Sequence, residues 1–158
     1  MKDELVINSP SFEDQGRIPM KHTGFGEDLS PAFEIKNLNE KGVSLVIIMD
    51  DLDIPFMKSY NHWVIWNIPR QERIPEGIPG GATVNSLNGA KQGIGYGRNR
   101  YAGPKMPRFI RTAHRYVFHI YALDTYLELS SQARKKDVLK AMEGHVLQQG
   151  KITGEYQR

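Results

Sequence analysis

The sequence predicts a mainly β protein. Fifteen glycines and nine prolines spread along 158 residues cut the chain into short runs. Those runs either alternate apolar and polar residues or are continuously apolar, as strands do. Only one segment carries convincing helical spacing. A chain of this length fits one domain, 1–158, with a core of its own, and neither repeat nor linker divides it.

Taken in order, "ELVIN" from Glu4 reads as a first strand. "AFEIKNL" alternates, with Phe33, Ile35 and Asn37 on one side. "SLVIIM" from Ser44 is apolar on both faces and suits a central strand covered on both sides. "HWVIWNI" places His62, Val64, Trp66 and Ile68 on one face and Trp63, Ile65 and Asn67 on the other. From Ile74 to Pro107 the chain reads as one long loop, and structureless loops of that length are uncommon unless functional or disordered. Its Tyr96, Tyr101 and isoleucines argue against full disorder. "RYVFHIYAL" alternates next, with Tyr116, Phe118, Ile120 and Ala122 on one face. The helix follows: Ser130 or Ser131 as cap, "ARKKDVLKAME" as body, Gly144 as stop, and Val138, Leu139 and Met142 as its apolar stripe. The tail "GKITGEYQR" returns as a strand.

Composition narrows the function classes. Net charge is +3, too small to imply nucleic acid. The chain has no cysteine, which removes disulfides, thiolate metal sites and cysteine nucleophiles. No apolar stretch approaches the ~20 residues of a membrane span, and "MKDELVINSP" carries acids at once, unlike a signal peptide. The expectation is a cytoplasmic protein.

Two motifs invite chemistry. "DDLDIP" ends an apolar strand with Asp50, Asp51 and Asp53; no frame through it fits an EF-hand loop, and as turn formers these acids need no function. "GIGYG" from Gly93 looks like a phosphate-cradling loop but lacks the strand before and the helix after. His62 and His114 each open an apolar strand, and antiparallel neighbours would bring them to one end of a sheet beside the acids. His22, His119 and His145 read as structural. Ser30, Ser44 and Ser59 sit in no nucleophile-elbow pattern, and no histidine spacing supports a metal site.

"DDLDIP", "HWVIWNIP", "EGIPGG", "YAGP", "HRYVFHIYALD", "AMEGHVL" and "GEYQR", in this order, resemble the phosphatidylethanolamine-binding proteins, most of all their bacterial and archaeal Raf-kinase-inhibitor-like branch. The resemblance covers nearly the whole chain. It implies a large antiparallel sheet packed on a smaller sheet, one or two short helices, and a pocket for phosphate or a phospholipid headgroup. Position by position it carries over Asp51, Asp53, Pro55, Tyr60, His62, Gly103, Pro104, His114 and Tyr116 as ligand-binding residues, with no catalytic residue, metal or cofactor. Leu52 stands where the family usually has proline, and Tyr60 near where many members have tryptophan. "GPKMPRFIRTAH" lacks the usual second proline pair and brings Lys105, Arg108 and Arg111.

The expected function is therefore a non-catalytic binder of a small anion, possessing donors from imidazoles and from the Gly103 amide, with Asp51 fixing a histidine tautomer and Asp53 open to an ammonium group. Regulation of a kinase or another protein partner is implied by the family label alone, and a homodimer is compatible with the resemblance. Two readings from other classes stay open: a hydrolase using Asp51, His62 and His114, and a protein-interaction module acting through the 74–107 loop.

Overall fold

The computed structural model describes residues 4–158; residues 1–3, where the stretch read for a leader begins, lie outside it. Ten strands and one α-helix follow one another: β1 (Val6–Asn8), β2 (Gly16–Arg17), β3 (Phe33–Lys36), β4 (Ser44–Asp51), β5 (Tyr60–Pro69), β6 (Arg73–Ile74), β7 (Thr83–Val84), β8 (Ala90–Gln92), β9 (His114–Leu123), α1 (Lys135–Met142) and β10 (Val146–Tyr156). A three-stranded sheet, β1-β3-β6, packs on a seven-stranded sheet ordered β2-β10-β9-β4-β5-β8-β7. Pairing is antiparallel except for the short β2–β10 contact.

β4 is the centre of the large sheet, between β5 and β9, and every residue of it is buried. Its continuous apolar run follows from that position, because both faces are covered. Leu45, Ile47 and Met49 look forward into the main core with Phe33, Ile35 and Ile74 of the small sheet. Val46 and Ile48 look back into a second core with Val138 and Met142 of the helix.

Three expectations need correction. The helix starts at Lys135 rather than after Ser130 or Ser131: the Asp137 carboxylate accepts the Arg134 N–H at 2.9 Å, which satisfies an end that the serines were expected to cap. The Ser130 hydroxyl instead accepts the Gln132 N–H at 3.2 Å within a turn. Leu139 is partly exposed and not part of the buried stripe.

The segment 74–107 is not structureless either. It contributes the end of β6 together with β7 and β8, which extend the large sheet beyond β5. Gln92, fully buried, is its anchor: its side-chain oxygen accepts the Trp63 indole N–H at 2.8 Å, and its amide donates to the carbonyls of Pro79 at 3.0 Å and Gly81 at 2.9 Å.

The third correction concerns β5. Simple alternation put His62, Val64, Trp66 and Ile68 on one face. The register against β4 runs Met49↔Trp63 then Asp50↔Asn61, passing over His62, and Ile47↔Ile65 then Leu45↔Ile68, passing over two residues of β5 against one of β4. Each is a bulge that inserts one residue and turns the following side chains to the other face. Val64 and Trp66 pack against the helix layer, whereas Trp63, Ile65 and Ile68 join the main core. Asn67 sits at the second bulge with φ 58°, a left-handed conformation that asparagine tolerates. Its side chain clasps Leu127, accepting its N–H at 2.7 Å and donating to its carbonyl at 2.9 Å.

Candidate functional site

The site is built at one end of the three central strands. Asp51 pairs with Tyr116 on one side and with Tyr60 on the other, so the three side chains leave the same face of the sheet. The first bulge of β5 adds His62 to them. Asn61 holds that bulge, its amide donating to the Met49 carbonyl at 3.1 Å and to Asp50 Oδ1 at 3.0 Å. His62 and Trp63 then turn to the front together, and the imidazole lies edge-on to the Tyr116 ring, with centroids 5.4 Å apart. On the far side of Tyr116, His114 stacks at 6.4 Å. Two imidazoles distant in sequence thus flank one tyrosine.

The three acids have three different partners. Asp50 points backward and receives Lys135 Nζ at 2.6 Å. Asp51, 1% exposed, accepts the His114 Nδ1–H at 2.8 Å through Oδ2 and the Asp53 N–H at 2.8 Å through Oδ1. Asp53 turns outward and is gripped by Arg115, which donates its backbone N–H at 2.7 Å and two guanidinium N–H groups at 3.0 and 2.8 Å. Those bonds hold the Asp53 carboxyl below its usual range.

A cavity of about 50 Å³ lies over this end of the sheet, lined by Asp51, His62 and Tyr116 from the strands and by Ile54, Tyr96, Lys105, Met106, Pro107 and Ile110 from the loops around it. His62 Nδ1 is 2.6 Å from the Ala102 carbonyl. A carbonyl only accepts, so the proton of the neutral ring sits on Nδ1 and Nε2 keeps its lone pair. Burial lowers the pKa of His62 against the opposing pull of the Ala102 carbonyl and the nearby aspartates. Burial, followed by the Asp51 charge, pushes the Tyr116 phenol far up. It remains an O–H, and its placed partner, Met106 Sδ at 3.3 Å, is a weak acceptor that a better one would displace.

The cavity adjoins a larger cleft of about 670 Å³ that shares Tyr96, Lys105, Met106 and Pro107 with it and extends over Gly24, Phe25, Asp28, Arg100, Gly103 and Arg158. Gly103 belongs to this cleft. Its amide donates to Asp28 Oδ1 at 2.8 Å, so the expectation that this N–H serves an anion in the cup is corrected. A Cβ on Gly103 would lie 2.0 Å from the His22 carbonyl oxygen, which is why glycine is required. Pro104 is buried beside it and its carbonyl accepts the Gly24 N–H at 2.8 Å.

Of the residues singled out from the sequence, Asp51, His62 and Tyr116 line the cup, His114 stands behind Asp51, and Tyr60 forms the rim, edge-on to His62 and Tyr96. Asp53 is occupied by Arg115, and Pro55 lies on the exposed loop between β4 and β5. Sequence reasoning did not place Tyr96 or Met106 in the site. The signal for Tyr96 was "GIGYG". Its glycines permit close crossing rather than phosphate binding: a Cβ on Gly93 would lie 2.3 Å from the Ala133 carbonyl oxygen, and one on Gly95 2.8 Å from the Trp63 nitrogen. The crossing delivers Tyr96 to within 4.8 Å of the His62 ring. Among the described residues no group of three or more His, Cys, Asp or Glu could hold a metal ion, and no helix is long and apolar enough to cross a membrane.

Comparison with known proteins agrees with this architecture. The family model described as phosphatidylethanolamine-binding protein matches residues 8–157. A UPF0098 protein of Pyrococcus abyssi is 42% identical over 157 residues, covering 99% of this chain and 87% of the relative. One from Methanothermobacter thermautotrophicus is 41% identical, covering 98% of this chain and 99% of the relative. Among solved structures, the phosphatidylethanolamine-binding protein homologue CT736 of Chlamydia trachomatis is 28% identical with a TM-score of 0.84, covering 98% of both chains. E. coli YbcL, 22% identical over 99% of both chains, shares the fold at a TM-score of 0.86. With a family match along almost its whole length and archaeal relatives above 40% identity, the chain belongs to the phosphatidylethanolamine-binding protein family.

Proposed function

We propose that this protein is a non-catalytic binder of a single oxyanion group, a phosphate or the phosphate of a lipid headgroup, held in the cup between His62 and Tyr116. The observation that carries the reading is the convergence of those two side chains with Lys105 on a cavity of only about 50 Å³, room for one small polar group but not for an organic body. Donors are the Tyr116 hydroxyl and the Lys105 ammonium. Acceptors are His62 Nε2 and Asp51, so the cup suits a ligand that brings a proton of its own or protonates His62 on arrival. Hydrogen phosphate and phosphoethanolamine both meet that condition.

His114 supports the site indirectly. Its bond to Asp51 fixes the carboxylate while Asp53 N–H occupies the other oxygen, which tempers the negative charge beside the ligand. No serine, threonine or cysteine lines the cup, which favours binding over nucleophilic catalysis. Any effect on a protein partner would come from occupancy ordering the rim loops.

Calorimetric titration with phosphate and phosphoethanolamine tests the proposal, together with Tyr116→Phe and Lys105→Gln. Saturable one-to-one binding that weakens in both variants is expected. Binding unchanged by either, or turnover of phosphoesters that His62→Gln abolishes, would replace this reading with another.

A further inference from the structure

The stretch "KMPRFIR" from Lys105 brings three cations into the loop before β9, and of these only Lys105 lines the cup. Arg108 and Arg111 line a separate hollow of about 280 Å³, together with Ile110 and Arg158. This hollow adjoins both cavities already described, sharing Ile110 with the cup and Arg158 with the larger cleft. Three guanidinium groups from two segments far apart in the chain thus meet on one concavity.

Their anchoring leaves the charge unneutralised. Arg158 lies over the Phe25 ring, 4.8 Å from its centroid, and donates Nη1–H to the Met106 carbonyl at 3.3 Å. Phe25 stacks in turn on Tyr156 of the main core, with centroids 6.0 Å apart. Arg111 is pinned through its backbone, its carbonyl accepting the Gln157 side-chain N–H at 2.6 Å. Arg108 sits in a turn closed by the Ile110 N–H on the Pro107 carbonyl at 3.0 Å. Among the described residues no ion pair engages Arg108, Arg111 or Arg158. The acids nearby are directed elsewhere. Residues 104–115 include none, Glu155 leaves the face of β10 opposite to Tyr156, and Glu27 and Asp28 line the cleft but not the hollow. Like charges gathered without a counter-charge repel one another, and a bound anion would offset that cost. Three planar forks carry more donors than the two oxygens of a carboxylate can use, and they suit the three terminal oxygens of a phosphoryl group.

We infer that the hollow is a second anion subsite, taking one phosphoryl group of a ligand whose other phosphoryl group sits in the cup. The ligand class is then a small organic bisphosphate that reaches around Ile110. The inference rests on the cup reading for the first of the two groups. A lone anion gains little in the hollow, because all three guanidinium groups are exposed to solvent. Tethered to a group already seated in the cup, the second phosphoryl is present at an effective concentration in the millimolar range.

Calorimetric titration of the full chain with methyl phosphate and with alkanediol bisphosphates of increasing length tests this. Affinity for the bisphosphates should pass through a maximum with length, at least about tenfold tighter than methyl phosphate. Arg108→Gln and Arg111→Gln should each cut that advantage about fivefold and leave methyl phosphate binding and thermal melting unchanged. Lys58→Gln, which removes a cation from the neighbouring loop outside the hollow, should leave the advantage intact. Exchanging one phosphoryl of the best bisphosphate for a carboxylate should weaken it. The inference is overturned if no bisphosphate binds tighter than methyl phosphate, or if the arginine variants weaken both ligands by the same factor. It is overturned equally if Lys58→Gln acts as the arginine variants do, or if the carboxylate analogue binds as well as the bisphosphate. Failure of the cup reading has its own signature, methyl phosphate binding that Tyr116→Phe does not weaken; the bisphosphate advantage and its dependence on Arg108 and Arg111 decide the hollow in either case.

Discussion

Oxyanion binding in the cup should be coupled to the uptake of one proton. The neutral His62 ring donates through Nδ1 to the Ala102 carbonyl at 2.6 Å, leaving Nε2 as a lone pair towards the cup. An oxyanion oxygen brought against that lone pair is repelled, whereas against the protonated ring it gains a charge-assisted hydrogen bond of about 1.5–3 kcal/mol. That difference is roughly ten- to a hundredfold in affinity. Burial lowers the pKa of the free His62 below its ordinary value, so near neutrality binding must draw a proton from solution. Tyr116, beside the ring, keeps its proton because burial and the Asp51 charge raise its pKa. Sulfate is the cleaner probe because it does not titrate in this range. Calorimetry between about pH 5 and 8, in buffers of different ionisation enthalpy, should show sulfate affinity falling up to about tenfold per pH unit above the His62 pKa. Heats should change with buffer in proportion to one proton per sulfate, and His62→Gln should flatten both dependences. A sulfate affinity independent of pH and buffer in the parent protein would refute the tautomer argument.

Folding stability should fall on mild acidification. His22, His62 and His119 all have pKa values lowered chiefly by burial, so below their ordinary value of 6.5 the unfolded chain binds more protons than the folded one. Their contribution is complete above that pH and is lost as pH drops towards the folded values; denaturant melts that show constant or rising stability from neutrality downward would contradict it. Gly103→Ala should destabilise by about 3 kcal/mol, because its Cβ would meet the His22 carbonyl oxygen at 2.0 Å, and urea unfolding measures it. Asn67→Ala should cost about 2–3 kcal/mol by removing both bonds to Leu127 and the tolerance for φ 58°. The corresponding drop in Tm is roughly 5–10 °C, and a shift within error would show that the bulge is held by packing alone.

The strands were legible because their signals are local. Continuous burial of β4 follows from "SLVIIMDD", and alternation in β9 places Tyr116, Phe118, Ile120 and Ala122 in the main core as read. The gathering of Asp51, His62, His114 and Tyr116 at one end follows from antiparallel neighbours and strand ends. The expected helix start failed because an acceptor three residues inside the helix, Asp137, outdid the serines expected as caps. The 74–107 segment hid two strands because residues so few have no period, and what fixes them is Gln92, a contact between distant parts of the chain.

The deepest miss concerns the residue on which the site depends. Alternation in "NHWVIWNIP" puts the His62 imidazole with Val64 and Trp66, facing the helix layer. There it would stand on the side of Asp50 and Lys135, whose ion pair already satisfies both groups, and no cup would form over Asp51. The front position exists only because one extra residue enters β5 between Asn61 and Trp63. A second extra residue before Ile68 restores the apolar side chains at the other end of the strand to the main core. The asparagines beside the two insertions, Asn61 and Asn67, are their only local trace, since each supplies side-chain bonds that a regular ladder would not need. Two bulges in one strand thus form a matched pair. The first spends a backbone irregularity on aiming His62, and the second returns the remainder of β5 to the register that its hydrophobic pattern requires.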